Sequence, residues 1–226
     1  MEFLSGNDWE KYLSNITEKR RTKKLFKLVD EAYSKYNDEI FPEKENLFKA
    51  FEKTSFEDTK VVIVGQDPYP NKKATGLAFS IPKGTIETND SMTQILAELK
   101  RETGIERKNR NIESWSDQGV LLLNKYLTKS KNKKINFNNR WTYFTRDVIK
   151  KLSEKEHVVF ILWGKRACGL EIYIDKNKNK VIKGGHPSNL STVNRRATCT
   201  FKGKNYFTET NKYLTLHNIS TINWKN

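Results

Sequence analysis

The stretch "VVIVGQDPYP", Val61 to Pro70, decides the fold. Four apolar β-formers run without alternation and stop at Gly, Gln and Asp. A continuous apolar run bounded by turn residues is the pattern of a strand buried on both faces, as in parallel sheets. Three further runs follow: "VLLL" (120–123), "VVFIL" (158–162) and a weaker "VI" (181–182). Between them lie amphipathic segments. Met92, Ile95, Leu96 and Leu99 share one helical face behind an Asn89 or Asp90 cap, and Trp141, Phe144, Val148, Ile149 and Leu152 share another. Near the N-terminus, Leu25, Phe26, Leu28, Val29, Ala32, Tyr33 and Tyr36 recur at helical spacing, and a further helical turn or two is expected over 46–51. Strands alternating with long crossovers predict a parallel sheet flanked by helices.

Each run ends in polar residues. Asp67 follows the first, Asn124 the second, Trp163-Gly164-Lys165 the third and His186 the fourth. Ligands of open α/β sheets bind at the carboxyl ends of the strands. Any one of these residues reads equally as a turn or a cap; together they predict a shared site.

With 226 residues the chain can bury a sizeable core. No linker or internal repeat divides it, and "TKSKNKKINFNN" (128–139) reads as a solvated loop. No apolar run approaches a membrane span, and the first residues lack the pattern of a signal peptide. An intracellular protein is expected, cytoplasmic in a bacterial host. Cys168 and Cys199 fit no disulfide framework or zinc spacing, and reduced thiols are expected. His157, His186 and His217 lie far apart, so no metal site is expected. The net charge of +15 suits a polyanionic partner, nucleic acid first. Lys-rich codon usage would give the same excess.

No G-x-x-x-x-G-K-[ST], G-x-G-x-x-G or G-x-S-x-G pattern is present, which disfavours phosphate-loop hydrolases, dinucleotide enzymes and serine hydrolases. An Asp and a His without metal leave acid–base or electrostatic catalysis. With an Asn to read a heterocycle edge, and Tyr69 and Phe79 for stacking, the ligand reads as a base.

The motifs "GQDPYP" (65–70), "GLAFS" (76–80), "GVLLLN" (119–124), "VVFILWG" (158–164) and "HPSNLS" (186–191) resemble, in order and spacing, those of family-1 uracil-DNA glycosylases. The resemblance runs from about Glu45 to "INW" (222–224). It implies a single α/β/α domain over 1–226, with a four-stranded, mainly parallel sheet and residues 1–44 as a helical segment packed on it. It also implies a metal-free, cofactor-free monomer that excises uracil from single- or double-stranded DNA, leaving an abasic site in base excision repair. The base would be flipped out of the helix. A DNA-mimicking inhibitor protein is an implied partner.

By the same resemblance Asp67 activates water and His186 hydrogen-bonds uracil O2. Gln66 joins the uracil pocket through its backbone N–H, and Tyr69 fills the space where a thymine methyl would clash. Phe79 stacks on the base. Asn124 pairs with its edge, accepting from N3–H and donating to O4. Ser91, Ser188 and Ser191 grip phosphates, and Leu190 wedges into the duplex.

The chain departs from the pattern at several points. Pro70 replaces a usual His near the DNA phosphates and the catalytic Asp. Asn189 replaces a usual Pro. The segment 82–91 keeps only Pro82, and a usual Ser-His is missing before Trp141. Arg195 and Arg196 replace an aromatic, Gly-containing stretch and are expected to add phosphate contacts. These departures keep a second reading in view, a DNA-binding replication accessory with weak or no catalysis. A glycosylase of wider base choice is disfavoured by Tyr69 and Asn124.

Overall fold

The computed structural model describes residues 7–85, 91–188 and 200–225. In chain order the strands are β1 (Ile40–Phe41), β2 (Val61–Gly65), β3 (Val120–Asn124), β4 (Lys129–Ser130), β5 (Val159–Trp163) and β6 (Lys180–Gly184). The four apolar runs build one sheet in the order β3-β2-β5-β6, with every pairing parallel. Val61 to Val64, Val120 to Leu123 and Val159 to Trp163 are essentially inaccessible. That burial on both faces is why these strands show no polar alternation. β6 is different. It lies at the edge and carries Lys180 and Lys183 on a partly exposed strand, charges that discourage pairing with another sheet.

The helices are α1 (Trp9–Thr17), α2 (Arg20–Tyr36), α3 (Lys49–Lys53), α4 (Ser91–Thr103), α5 (Glu113–Ser116), α6 (Asn138–Leu152), α7 (Lys165–Cys168) and α8 (Tyr206–Leu216). The predicted face of α6 is buried in full, and so are Met92, Ile95 and Leu99 of α4. α1 and α2 pack on α6, while α4 packs on α8.

Two polar clusters fix these helices. Asp147 of α6 takes hydrogen bonds from Lys19 at 2.8 Å, from Arg146 at 2.9 and 3.0 Å, and from Arg21. Burial opposes its charge, but the three cations outweigh that and hold the carboxyl below its ordinary range. From α4, Glu98 accepts the backbone N–H groups of Gly203 and Lys204 at 2.8 and 3.0 Å. Glu102 accepts those of Tyr206 and Phe207 at 2.9 and 2.8 Å, occupying the free donors at the start of α8.

One expectation needs correction. Residues 128–139 are not a solvated loop. Thr128 is buried and accepts Trp141 Nε1–H at 2.8 Å, Lys129–Ser130 pairs antiparallel with Ile40–Phe41, and Ile135 and Phe137 pack against the core. The lysines dominate the composition of this stretch, but its few apolar side chains decide where it goes. Phe79 sits outside the strands, with a φ of +64°. α1 and α8 were not foreseen, although Trp9, Leu13 and Ile16 are all buried at helical spacing. Asn89 and Asp90 fall outside the described residues.

Candidate active site

The order β3-β2-β5-β6 places β2 between strands reached by crossovers in opposite directions, the arrangement that opens a crevice at the carboxyl ends of an α/β sheet. A cleft of about 160 Å³ lies there, lined by residues that include Gln66, Asp67, Tyr69, Phe79, Asn124 and His186.

The Asp67 loop is held by more than its prolines. Lys125 N–H and Tyr126 N–H, just past β3, donate to the carbonyls of Gly65 and Gln66 at 2.9 Å each. Asp67 Oδ2 accepts Lys129 Nζ at 2.6 Å, and Oδ1 accepts Gln66 Nε2 at 3.3 Å. Tyr69 OH donates to the Phe79 carbonyl at 3.4 Å.

Phe79 takes a left-handed backbone that a bulky residue rarely adopts, a strain of about 1–3 kcal/mol that surrounding structure must enforce. Ala78 N–H donates to Leu122 O at 3.0 Å and pins the turn. The Phe79 ring meets Trp163 edge-on with centroids 5.3 Å apart, and the His186 ring stands 6.2 Å away.

Asn124 ends β3 in register with Gly65 of β2, and it is only 7% exposed. A Cβ at position 65 would stand 2.6 Å from Asn124 Oδ1 and 3.2 Å from Phe79 Cε2. Only glycine admits the amide and the ring so close to the strand end.

His186 follows β6 and passes over Gly164, whose φ of +92° again requires glycine. His186 Nδ1 accepts Ser188 N–H at 3.1 Å. That bond leaves Nδ1 without a proton, so the neutral ring carries its proton on Nε2. Burial pushes the His186 pKa below the ordinary 6.5, and the charge of Asp67 pulls only partly the other way. A neutral imidazole donor results.

Of the residues singled out in the sequence, the fold brings Gln66, Asp67, Tyr69, Phe79, Asn124, His186 and Ser91 to one cleft. Ser91 opens α4. Ser188 lies two residues from His186. Leu190, Ser191, Arg195 and Arg196 lie outside the described residues, as do Asn189 and Cys199. Cys168 Sγ donates to Leu162 O at 3.4 Å, and no cluster of His, Cys, Asp or Glu suited to a metal occurs among the described residues. Sequence reading missed Lys129, hidden in a Lys-rich run that offered no sign of which lysine turns inward.

Fold and cleft define an α/β protein with one small polar and aromatic cleft at the carboxyl edge of its sheet. The family model of the Uracil DNA glycosylase superfamily matches residues 51–215, and the chain belongs to that superfamily. It is 39% identical to "Uracil-DNA glycosylase" of Aliarcobacter butzleri, covering 96% of this chain and 99% of that protein. It is 36% identical to the protein of the same name from Borrelia duttonii over the full length of both. Among solved structures, mimivirus uracil-DNA glycosylase superposes with a TM-score of 0.85 at 25% identity, covering 96% of this chain and 85% of that one. A mimivirus variant crystallised with UGI gives 0.87 at 24% identity, covering 99% and 90%. No helix among the described residues is long and apolar enough to cross a membrane.

Proposed function

We propose that this chain is a DNA-repair glycosylase that hydrolyses the N-glycosidic bond of uracil in DNA and leaves an abasic site. One observation carries the reading: a carboxylate, an amide, a neutral imidazole donor and two aromatic rings converge on one small cleft. At about 160 Å³ the cleft falls below the roughly 300–1,000 Å³ of drug-sized pockets, and it suits a single flipped base.

Cleavage leaves positive charge on the sugar and negative charge on the departing uracil. Asp67 stabilises the first and orients the attacking water. His186 Nε2–H donates to O2 as charge builds there, and it does so without first giving up a proton. Asn124 reads N3–H and O4, where cytosine presents the opposite pattern. Tyr69 excludes a 5-methyl group, and Phe79 stacks on the ring. Gln66 contributes its backbone N–H. Ser91, Ser188 and Ser191 hold phosphates, Leu190 fills the vacated stack, and Arg195 and Arg196 add charge contacts.

The whole chain acts as one domain, with residues 1–44 as its N-terminal helical segment. The protein works as an intracellular monomer on single- or double-stranded DNA and needs no metal or cofactor. A DNA-mimicking inhibitor of the UGI kind is a fitting partner. Nothing in the comparisons favours the non-catalytic accessory reading.

The test is an end-labelled single-stranded oligonucleotide with one uracil, incubated in EDTA and then treated with hot alkali. Scission at uracil alone, reduced by roughly 10²-fold or more in Asp67→Asn, is the expected result. Intact DNA with binding preserved would overturn the reading.

A further inference from the structure

Asp67 does not wait in the cleft unaccompanied. Lys129 reaches it from β4, with Nζ 2.6 Å from Oδ2. The lysine side chain is 40% exposed and the carboxylate 16%. At that exposure an ion pair contributes little to stability, so the fold does not depend on it. The lysine is nonetheless well placed. Lys129 pairs with Phe41 in the short antiparallel ladder, and its neighbour Thr128 is buried against Trp141. β4 is thereby a fixed platform on the far side of the Asp67 loop. The loop itself ends in Pro70, which has no N–H and no polar side chain to offer the carboxylate.

We propose that Lys129 is a positioning residue for uracil excision, its ammonium clamping Oδ2 of Asp67 so that Oδ1 is turned to the attacking water. The proposal rests on the glycosylase reading. Among the described residues Oδ1 has only the long 3.3 Å contact from Gln66 Nε2, which a water can displace or share. Oδ2 is taken by a charge-assisted bond of 2.6 Å, short for its type. The clamp fixes the carboxylate plane before substrate arrives, and preorganisation of this kind is what effective catalytic geometry requires. The proton taken from water stays with the Asp67 carboxylate, and Lys129 remains an ammonium throughout.

Lys129 has a competing role. Lys129 also lines a neighbouring groove with Pro70, Lys131 and Lys133, where its charge could instead hold a DNA phosphate. The two roles differ in what they change.

The test is single-turnover excision with saturating enzyme, run beside the Kd for an oligonucleotide carrying a non-cleavable uracil nucleotide. Variants are Lys129→Met, Lys129→Arg, and each in the Asp67→Asn background. The clamp predicts a roughly tenfold slower step for Lys129→Met, with Kd changed less than about threefold and thermal unfolding near that of the unaltered chain. Arginine, which can also grip a carboxylate, restores most of the rate. In Asp67→Asn the lysine change has no further effect, because the group it positions is already lost. A rate equal to that of the unaltered chain overturns the proposal. So does a deficit confined to Kd, which would make Lys129 a phosphate contact. An arginine no better than methionine overturns it as well. If the unaltered chain excises uracil while Lys129→Met matches it, only the clamp fails; if the unaltered chain leaves uracil in place, the glycosylase reading fails with it.

Discussion

Replacing Gly65 by alanine adds one methyl group at the point where the Asn124 amide and the Phe79 ring meet. The backbone at 65 is ordinary strand, so alanine can adopt it, and the cost is one of space. The new Cβ would stand 2.6 Å from Asn124 Oδ1, 3.2 Å from Ala78 Cβ and 3.2 Å from Phe79 Cε2. Ordinary contact begins near 3.4 Å, so the amide oxygen must give by about 0.8 Å and the ring by about 0.2 Å. The Asn124 backbone is fixed by the β2–β3 register, so its amide gives way only by turning from its present place in the cleft, and the Phe79 turn is pinned through Ala78. Displacement approaching 1 Å at a reacting centre costs about 10²-fold in rate, and overpacking costs about 1–3 kcal/mol of stability. The assay is single-turnover excision at a temperature well below unfolding, with melting curves alongside. Gly169→Ala is the control, since its Cβ would meet nothing closer than 3.6 Å. A Gly65→Ala enzyme within threefold of the unaltered rate would refute the claim that Asn124 and Phe79 read the base from these positions.

Other outcomes can be checked in parallel. Tyr69→Ala should let the enzyme release thymine slowly from a thymine-containing oligonucleotide, since excluding one methyl is worth about 1–3 kcal/mol; thymine left fully intact would count against the steric role. The excision rate should hold its plateau below pH 6.5, because the buried His186 protonates below that value; a half-loss at or above 6.5 would contradict the neutral donor. The same group makes stability fall as pH drops below 6.5, because the unfolded chain takes up the proton first. Asp147→Asn should cost about 1–3 kcal/mol, reduced for its partly exposed partners. With a carboxyl pKa held below the ordinary 3.8, that difference is full above 3.8 and is lost as pH falls through the depressed value. Calorimetry across pH reads it directly. DNA affinity should fall steeply with salt, by about 0.9 in log K for each phosphate neutralised in duplex; a slope below about two phosphates would show that Lys and Arg carry little of the grip.

Much of this is legible in the sequence. A strand covered on both faces must be apolar throughout, so the central strands stand out as unbroken runs, and their polar ends point directly to the cleft. What stayed hidden depends on pairings between distant segments. β1 and β4 are two residues each and carry no periodic signal, yet they fix Lys129 beside Asp67. The turn at Phe79 could not be foreseen because nothing in "GLAFS" announces a left-handed phenylalanine; the Leu122 hydrogen bond, the Tyr69 hydroxyl and the packing against Trp163 hold it. The tautomer of His186 likewise depends on one backbone N–H two residues away. Such facts belong to geometry, and residue types alone do not carry them.

The sheet order has a consequence for synthesis. Asp67 and Asn124 stand at the ends of β2 and β3, but His186 follows β6, an edge strand and the last added to the sheet. At about 5–20 residues per second, roughly 3 to 12 seconds pass on the ribosome between Asn124 and His186. Throughout that interval the nascent chain holds an acid loop and an amide with no imidazole opposite them. A product truncated before β6 therefore lacks both the edge strand and one wall of the cleft, and the cleft has all its lining residues only in a chain translated past His186.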